Sequence, residues 1–139
     1  MIPRIRMRAF ERVRDTSVVA HYARSAGGRI ATGDRVRVFE STSTTPVGYA
    51  VYRSTGQSGT VSIVWLNAPG YGKKSMRLLI SEFKKNNIKY IHINVSVDPT
   101  ERLAGVIRRL NFWFGIGFRV ADIKFRPKYG PLLKMTKII

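Results

Sequence analysis

Between Asn67 and Ile80 the sequence reads NAPGYGKKSMRLLI. Pro69, Gly70, Tyr71 and Gly72 form a turn ahead of an amphipathic run whose first charges are Lys73 and Lys74. A helix start carries partial positive charge and ordinarily takes Asp or Glu. Lysines in that place, behind glycines that let backbone come close to a ligand, are the composition of an anion site. Two solvated lysines with no ligand are the plainer alternative. The G-x-x-x-x-G-K-[ST] spacing of a nucleotide-triphosphate loop is absent.

Other chemistry is sparse. The chain has no cysteine and two histidines, His21 and His92. That excludes disulfides and thiolate chemistry and argues against a zinc site. No Ser-His-Asp order and no motif-spaced carboxylate pair is present. His21, in a segment with no partner pattern, is expected at the surface.

Cations dominate instead. Of 139 residues, 25 are Lys or Arg and 8 are Asp or Glu, a formal net charge of +17. An excess of this size implies contact with a polyanion such as nucleic acid or a nucleoprotein. Arg4, Arg6 and Arg8 share one strand face, Arg35 and Arg37 another, and Arg126 and Lys128 lie near the C-terminal strands. Phe10, Phe39, Tyr52, Phe125 and Tyr129 are interleaved with them, and such aromatics can stack on bases. No helix-turn-helix, zinc-finger or RNP motif accompanies them. A charged surface that serves only solubility is the competing reading.

The elements that must position these residues follow from periodicity. The length fits one domain spanning 1–139. Residues 4–13 alternate as a half-buried strand, and 16–26 carry helical spacing stopped by Gly27-Gly28. Strands over 35–41, 47–54 and 60–66 form an antiparallel meander. A helix over 72–87 buries Met76, Leu79, Ile80 and Phe83. A strand over 88–97 then completes a β-α-β unit, which makes it a parallel neighbour of 60–66. A second helix starts at Asp98-Pro99-Thr100-Glu101, with Asp98 as N-cap and Leu103, Ile107, Leu110 and Phe114 as its buried stripe. Strands near 118–125 and 132–138 close the chain. No apolar run reaches the length of a membrane span. With no secretory signal, a cytoplasmic location is expected.

This order, β-α-β-β-β-α-β-α-β-β, resembles the GNAT fold of the GCN5-related N-acetyltransferases. The resemblance implies an α/β fold: a mixed, mostly antiparallel twisted sheet of about seven strands with helices on both faces. The segment PGYGKKSMRLL, Pro69 to Leu79, is similar to the family's acetyl-CoA signature in its proline, tyrosine, glycine, lysine and paired leucines. The opening arginine or glutamine of that signature is missing. Gly117-Phe118 matches a second landmark, a helix ending in Tyr-x-x-x-Gly-Phe, but Trp113 stands where the tyrosine would be.

The resemblance implies acetyl-CoA as cofactor and direct transfer of an acetyl group to an amine. Leu66, Asn67, Gly70, Gly72, Lys73, Lys74 and Ser75 would bind the cofactor, with backbone N–H groups of Gly72 to Ser75 on its pyrophosphate. In the family's tyrosine position, Trp113 cannot return a proton. Strand 60–66 has no carboxylate, so His92 and Glu40 are the candidate bases for the amine, with a water chain as the alternative; a hydrogen-bonded, half-buried sheet histidine is the plainer reading of His92. The alternative is an inactive GNAT-fold protein that binds nucleic acid or builds a nucleoprotein or virion. Small divergent chains of this kind are similar to phage and mobile-element proteins, which would place it in host cytoplasm or virion. Phe112, Trp113, Phe114 and Phe118 cannot all face one core from one helix end, so at least one is expected to cover a second surface, such as a homo-oligomer contact or the acyl channel.

Overall fold

The computed structural model describes residues 4–18, 20–21 and 30–139. Seven strands form one sheet: β1 (Ile5–Ala9), β2 (Arg35–Ser41), β3 (Pro46–Ser54), β4 (Thr60–Asn67), β5 (Tyr90–Ser96), β6 (Arg119–Lys124) and β7 (Leu132–Ile138). Helix α1 (Gly72–Lys85) joins β4 to β5, and α2 (Leu103–Gly115) joins β5 to β6. The sheet order is β1-β2-β3-β4-β5-β7-β6. Every neighbouring pair is antiparallel except β4 and β5, which the α1 crossover makes parallel.

Alternation along the strands divides the apolar residues between two faces. Phe39, Ala50, Tyr52, Ile63, Ile91 and Ile93 pack with Met76, Leu79 and Phe83 of α1 and Trp113 of α2. The residues between them, Val36, Val38, Tyr49 and Val51, pack on the other face with Val18. Residues 16–18, 20 and 21 have helical backbone. The rest of the helix expected over 16–26 lies outside the described residues.

Two boundaries differ from expectation for local chemical reasons. The first strand stops at Ala9 because the next residues turn: the Asp15 carboxylate accepts from the Glu11 N–H and from Arg8. The second helix begins at Leu103, not at Asp98. Asp98 accepts instead from the Thr100 N–H at 2.8 Å and its hydroxyl at 2.7 Å, an Asx turn that competes with helix.

The buried stripe of α2 is also rotated. Val106 and Trp113 are its buried residues, while Leu103, Ile107 and Phe114 are exposed. Trp113 sets this rotation. Its indole meets Phe112 and Phe118 edge-to-face, with centroids 4.9 and 5.1 Å away.

A bulge decides what the sheet can do. Val51 pairs with Trp65 and Tyr52 with Ile63, so Val64 is an extra residue on β4. The parallel pairing of β4 with β5 ends at Ile63 and Ile93, one residue earlier. A bulge bends its strand and increases its twist, and here it turns Val64–Asn67 away from β5. Gly48 lets the end of β4 cross closely over β3: a Cβ there would collide with the Asn67 carbonyl oxygen and stand 2.6 Å from Ala68 Cα. Both neighbours are backbone. Gly48→Ala is therefore expected to cost about 1–3 kcal/mol, as overpacking does, measured by urea unfolding.

Candidate functional site

The parted ends of β4 and β5 open a cleft of about 830 Å³, within the range of small-molecule sites. Val64–Lys74 form one wall, Ile93–Ser96 another, and Arg108, Arg109, Phe112 and Trp113 of α2 a third. Beyond Ile63 the main chain of β4 no longer pairs with β5. At the opposite wall Arg109 donates to the Ser96 carbonyl at 2.9 Å and forms an ion pair with Glu101, which ties the parted end of β5 to α2.

The start of α1 faces this cleft. Tyr71 is its N-cap with no side-chain capping bond, and its first turn has no acid. The first helical bond runs from Ser75 N–H to the Tyr71 carbonyl at 2.9 Å. Gly72 and Lys73 precede it, and N–H groups in a helix's first turn have no intrahelical acceptor. Gly70 has φ +79, with open space where a Cβ would be. Gly72 has a different reason: a Cβ there would sit 2.8 Å from the Phe112 ring. That glycine lets α2 pack against the start of α1.

Leu66, Asn67, Gly70, Gly72, Lys73 and Lys74 thus all line the cleft. Ser75 does not. It is buried on the core side of α1, with its N–H already used by Tyr71.

The two expected bases are placed differently. Glu40 is buried and receives Arg6 at 2.9 Å, Arg8 at 3.0 Å and Arg14 at 3.4 Å. It does not line the cleft. Arg8 also bridges to Asp15 at 2.7 Å, so β1 is held to β2 and to the following turn by one ionic cluster. His92 is half-buried, with Nδ1 2.8 Å from Thr136 Oγ1. Burial and then Lys134 hold it below the ordinary histidine value. It does not line the cleft either: it pairs opposite Ser62 beyond the closed end, on the same face of β5 as Asn94 and about 7 Å along the strand from it.

His21 corrects its expectation. It is half-buried, its Nε2 lies 3.0 Å from Asn67 Nδ2, and its ring meets Tyr49 edge-on at 5.8 Å. A residue expected on the surface is bonded to the cleft wall. Asn94, Ser96 and Arg108 were also not foreseen there. The parallel pairing of β4 and β5 was the available signal; the bulge that ends it has no sequence signature.

Of the cations proposed for nucleic acid, Arg6 and Arg8 serve Glu40 and Arg37 pairs with Glu82 at 3.2 Å. Arg126 donates to Ser96 Oγ at 2.6 Å and to the Gly130 carbonyl at 2.9 Å. Arg4, Arg35 and Lys128 are exposed.

With this geometry in hand, comparison with solved structures identifies the architecture. A Desulfovibrio desulfuricans protein assigned to the GNAT acetyltransferases matches with TM-score 0.71 over 97% of this chain and 99% of that one, at 15% identity. The chain has the GNAT fold. A Bacillus subtilis acetyltransferase in complex with CoA matches with TM-score 0.68, 16% identity and coverage of 98% and 99%. A spermidine N-acetyltransferase variant from Vibrio cholerae matches with TM-score 0.73, 13% identity and coverage of 96% and 93%. No protein-family model and no curated protein matches this sequence. Among the described residues, no helix of this GNAT fold is long and apolar enough to cross a membrane.

The ionic cluster has a pH consequence. Asp15 and Glu40 are both held below their ordinary values, each first by its hydrogen bond from Arg8. Depressed carboxyls contribute stability that is complete above their unfolded values, about 3.9 and 4.3, and is lost as pH falls through the folded ones. Thermal unfolding between neutral pH and pH 2 should show this acid loss, and Asp15→Asn should reduce its amplitude.

Proposed function

We propose that this chain is an acetyl-CoA-dependent N-acetyltransferase, with the cleft between β4 and β5 as its cofactor site. The observation that carries the reading is the uncapped start of α1 opening onto that cleft. The residues present fit the cofactor. N–H groups of Gly72 and Lys73 suit a pyrophosphate, and the lysine charges support it. Main-chain groups of Val64, Leu66 and Asn67, which border the cleft where pairing with β5 has ended, suit the amides of a pantetheine arm, and Ile93, Val95, Phe112 and Trp113 give that arm apolar walls.

Acetyl-CoA, when bound, would supply a thioester whose C–S bond breaks as the amine nitrogen bonds the acetyl carbon, giving an amide and a CoA thiolate that takes its proton from water. His92 takes the proton from the amine. Its depressed pKa keeps it neutral at pH 7, and the Thr136 bond at Nδ1 leaves Nε2 for the substrate. Asn67, held by His21, orients groups at the mouth of β4. Trp113 walls the cleft and donates no titratable proton.

Two measurements test this. Calorimetry should show acetyl-CoA binding that weakens about tenfold or more when Lys73 and Lys74 are both changed to Ala, the loss of two charge-assisted contacts. Absence of binding at millimolar acetyl-CoA would sink the reading. In turnover, His92→Ala should lower kcat by about 100-fold or more with acetyl-CoA affinity kept. The wild-type acid limb should fall below about pH 6.5 and disappear in the variant.

A further inference from the structure

The eight acidic residues can each be located. Asp15 and Glu40 are consumed by Arg6, Arg8 and Arg14, Asp34 by Arg53, Glu82 by Arg37 and Glu101 by Arg109. Asp98 is taken by Thr100 and lies near Arg126. Asp122 sits on β6 opposite Lys134, and Glu11 is exposed near the N-terminus. None of the eight lines the cleft, whose charged groups are Lys73, Lys74, Arg108 and Arg109. A polycationic acceptor has nothing to bind here and is repelled by the whole molecule.

The open end of the cleft is extended by the turn between β6 and β7. Arg126 clamps this turn to Ser96, a cleft residue, and the Val97 N–H bonds the Pro131 carbonyl at 2.9 Å. Gly130 is required for the contact, since a Cβ would run into the Val97 carbonyl. At its tip Phe125 and Tyr129 are 78% and 55% exposed, flanked by exposed Lys124 and Lys128. Lys128 Nζ lies 5.8 Å from the Tyr129 ring centroid. Cations that alternate with exposed aromatic rings are what a single-stranded nucleic acid meets: charge for its phosphates and rings for its bases. An acidic peptide would use the charge but not the rings.

We infer that the acceptor amine is carried on a single-stranded nucleic acid, which the β6–β7 turn holds beside the cleft. The inference rests on the acetyl-transfer reading and specifies only its acceptor; the bonds made and broken are those given above.

The test supplies acetyl-CoA with a short single-stranded oligonucleotide bearing a terminal aliphatic amine. The comparators are the same amine linker without nucleotides, spermidine, and an acidic peptide with a free N-terminus. The oligonucleotide should exceed each comparator in kcat/KM by about tenfold or more at low salt, and the advantage should fall steeply as salt rises. Phe125→Ala with Tyr129→Ala should raise its KM about tenfold without changing acetyl-CoA affinity. Equal or better use of spermidine, the peptide or the bare linker overturns the inference while leaving acetyl transfer intact. An oligonucleotide KM unmoved by the double substitution also overturns it. Failure of acetyl-CoA to bind in calorimetry overturns both readings.

Discussion

Past the Ile63–Ile93 pair, β4 and β5 no longer exchange main-chain hydrogen bonds, and the bulge at Val64 follows directly. A parallel sheet that stayed paired to its end would leave no room between these strands. Parted, they need other partners for backbone groups in the middle of a protein. The surrounding structure supplies some of these. Arg109 takes the Ser96 carbonyl, Gly48 lets the Asn67–Ala68 backbone lie against β3, and His21 holds the Asn67 side chain. The edge of β4 past Ile63 borders the cleft instead of β5. The turn from Asn67 to Tyr71 then delivers α1 so that its uncapped N-terminus opens on the same space.

Charge acts at two scales. Locally, scarce carboxylates are committed to scaffold: Glu40 and Asp15 gather three arginines at the β1 edge, and Glu82 ties α1 to β2 through Arg37 and to β3 through Tyr52. These pairs remove several arginines from the set that can meet a partner, among them Arg6, Arg8 and Arg37. Globally, the remaining excess leaves the cleft and its rim cationic. A site of this sign attracts a phosphate-bearing cofactor and favours an anionic acceptor over a cationic one.

Element order was readable because it rests on alternation and amphipathic spacing, which local sequence records. β2 was read at its observed bounds, and α1 at its observed start, because turn residues flank both. The cleft-lining residues of the Asn67–Lys74 turn were readable for the same reason: glycines and lysines at a helix start are unusual. What failed was tertiary. The stripe Leu103, Ile107 and Phe114 has helical spacing, yet Trp113 packing against Phe118 turns it outward. The Asp98 capping signal was real chemistry spent on an Asx turn. His21 gave no sign of Asn67, 46 residues away, because spatial neighbours across a sheet leave no local pattern.

The central claim is that the parted strands and the start of α1 form one ligand site. Amide chemical shifts followed by NMR during an acetyl-CoA titration test it residue by residue. The account predicts saturable shifts concentrated at Val64–Asn67, Gly72–Lys74 and Asn94–Ser96, with the β1–β2 edge unmoved. Shifts confined to other surfaces, or none at millimolar acetyl-CoA, would contradict it.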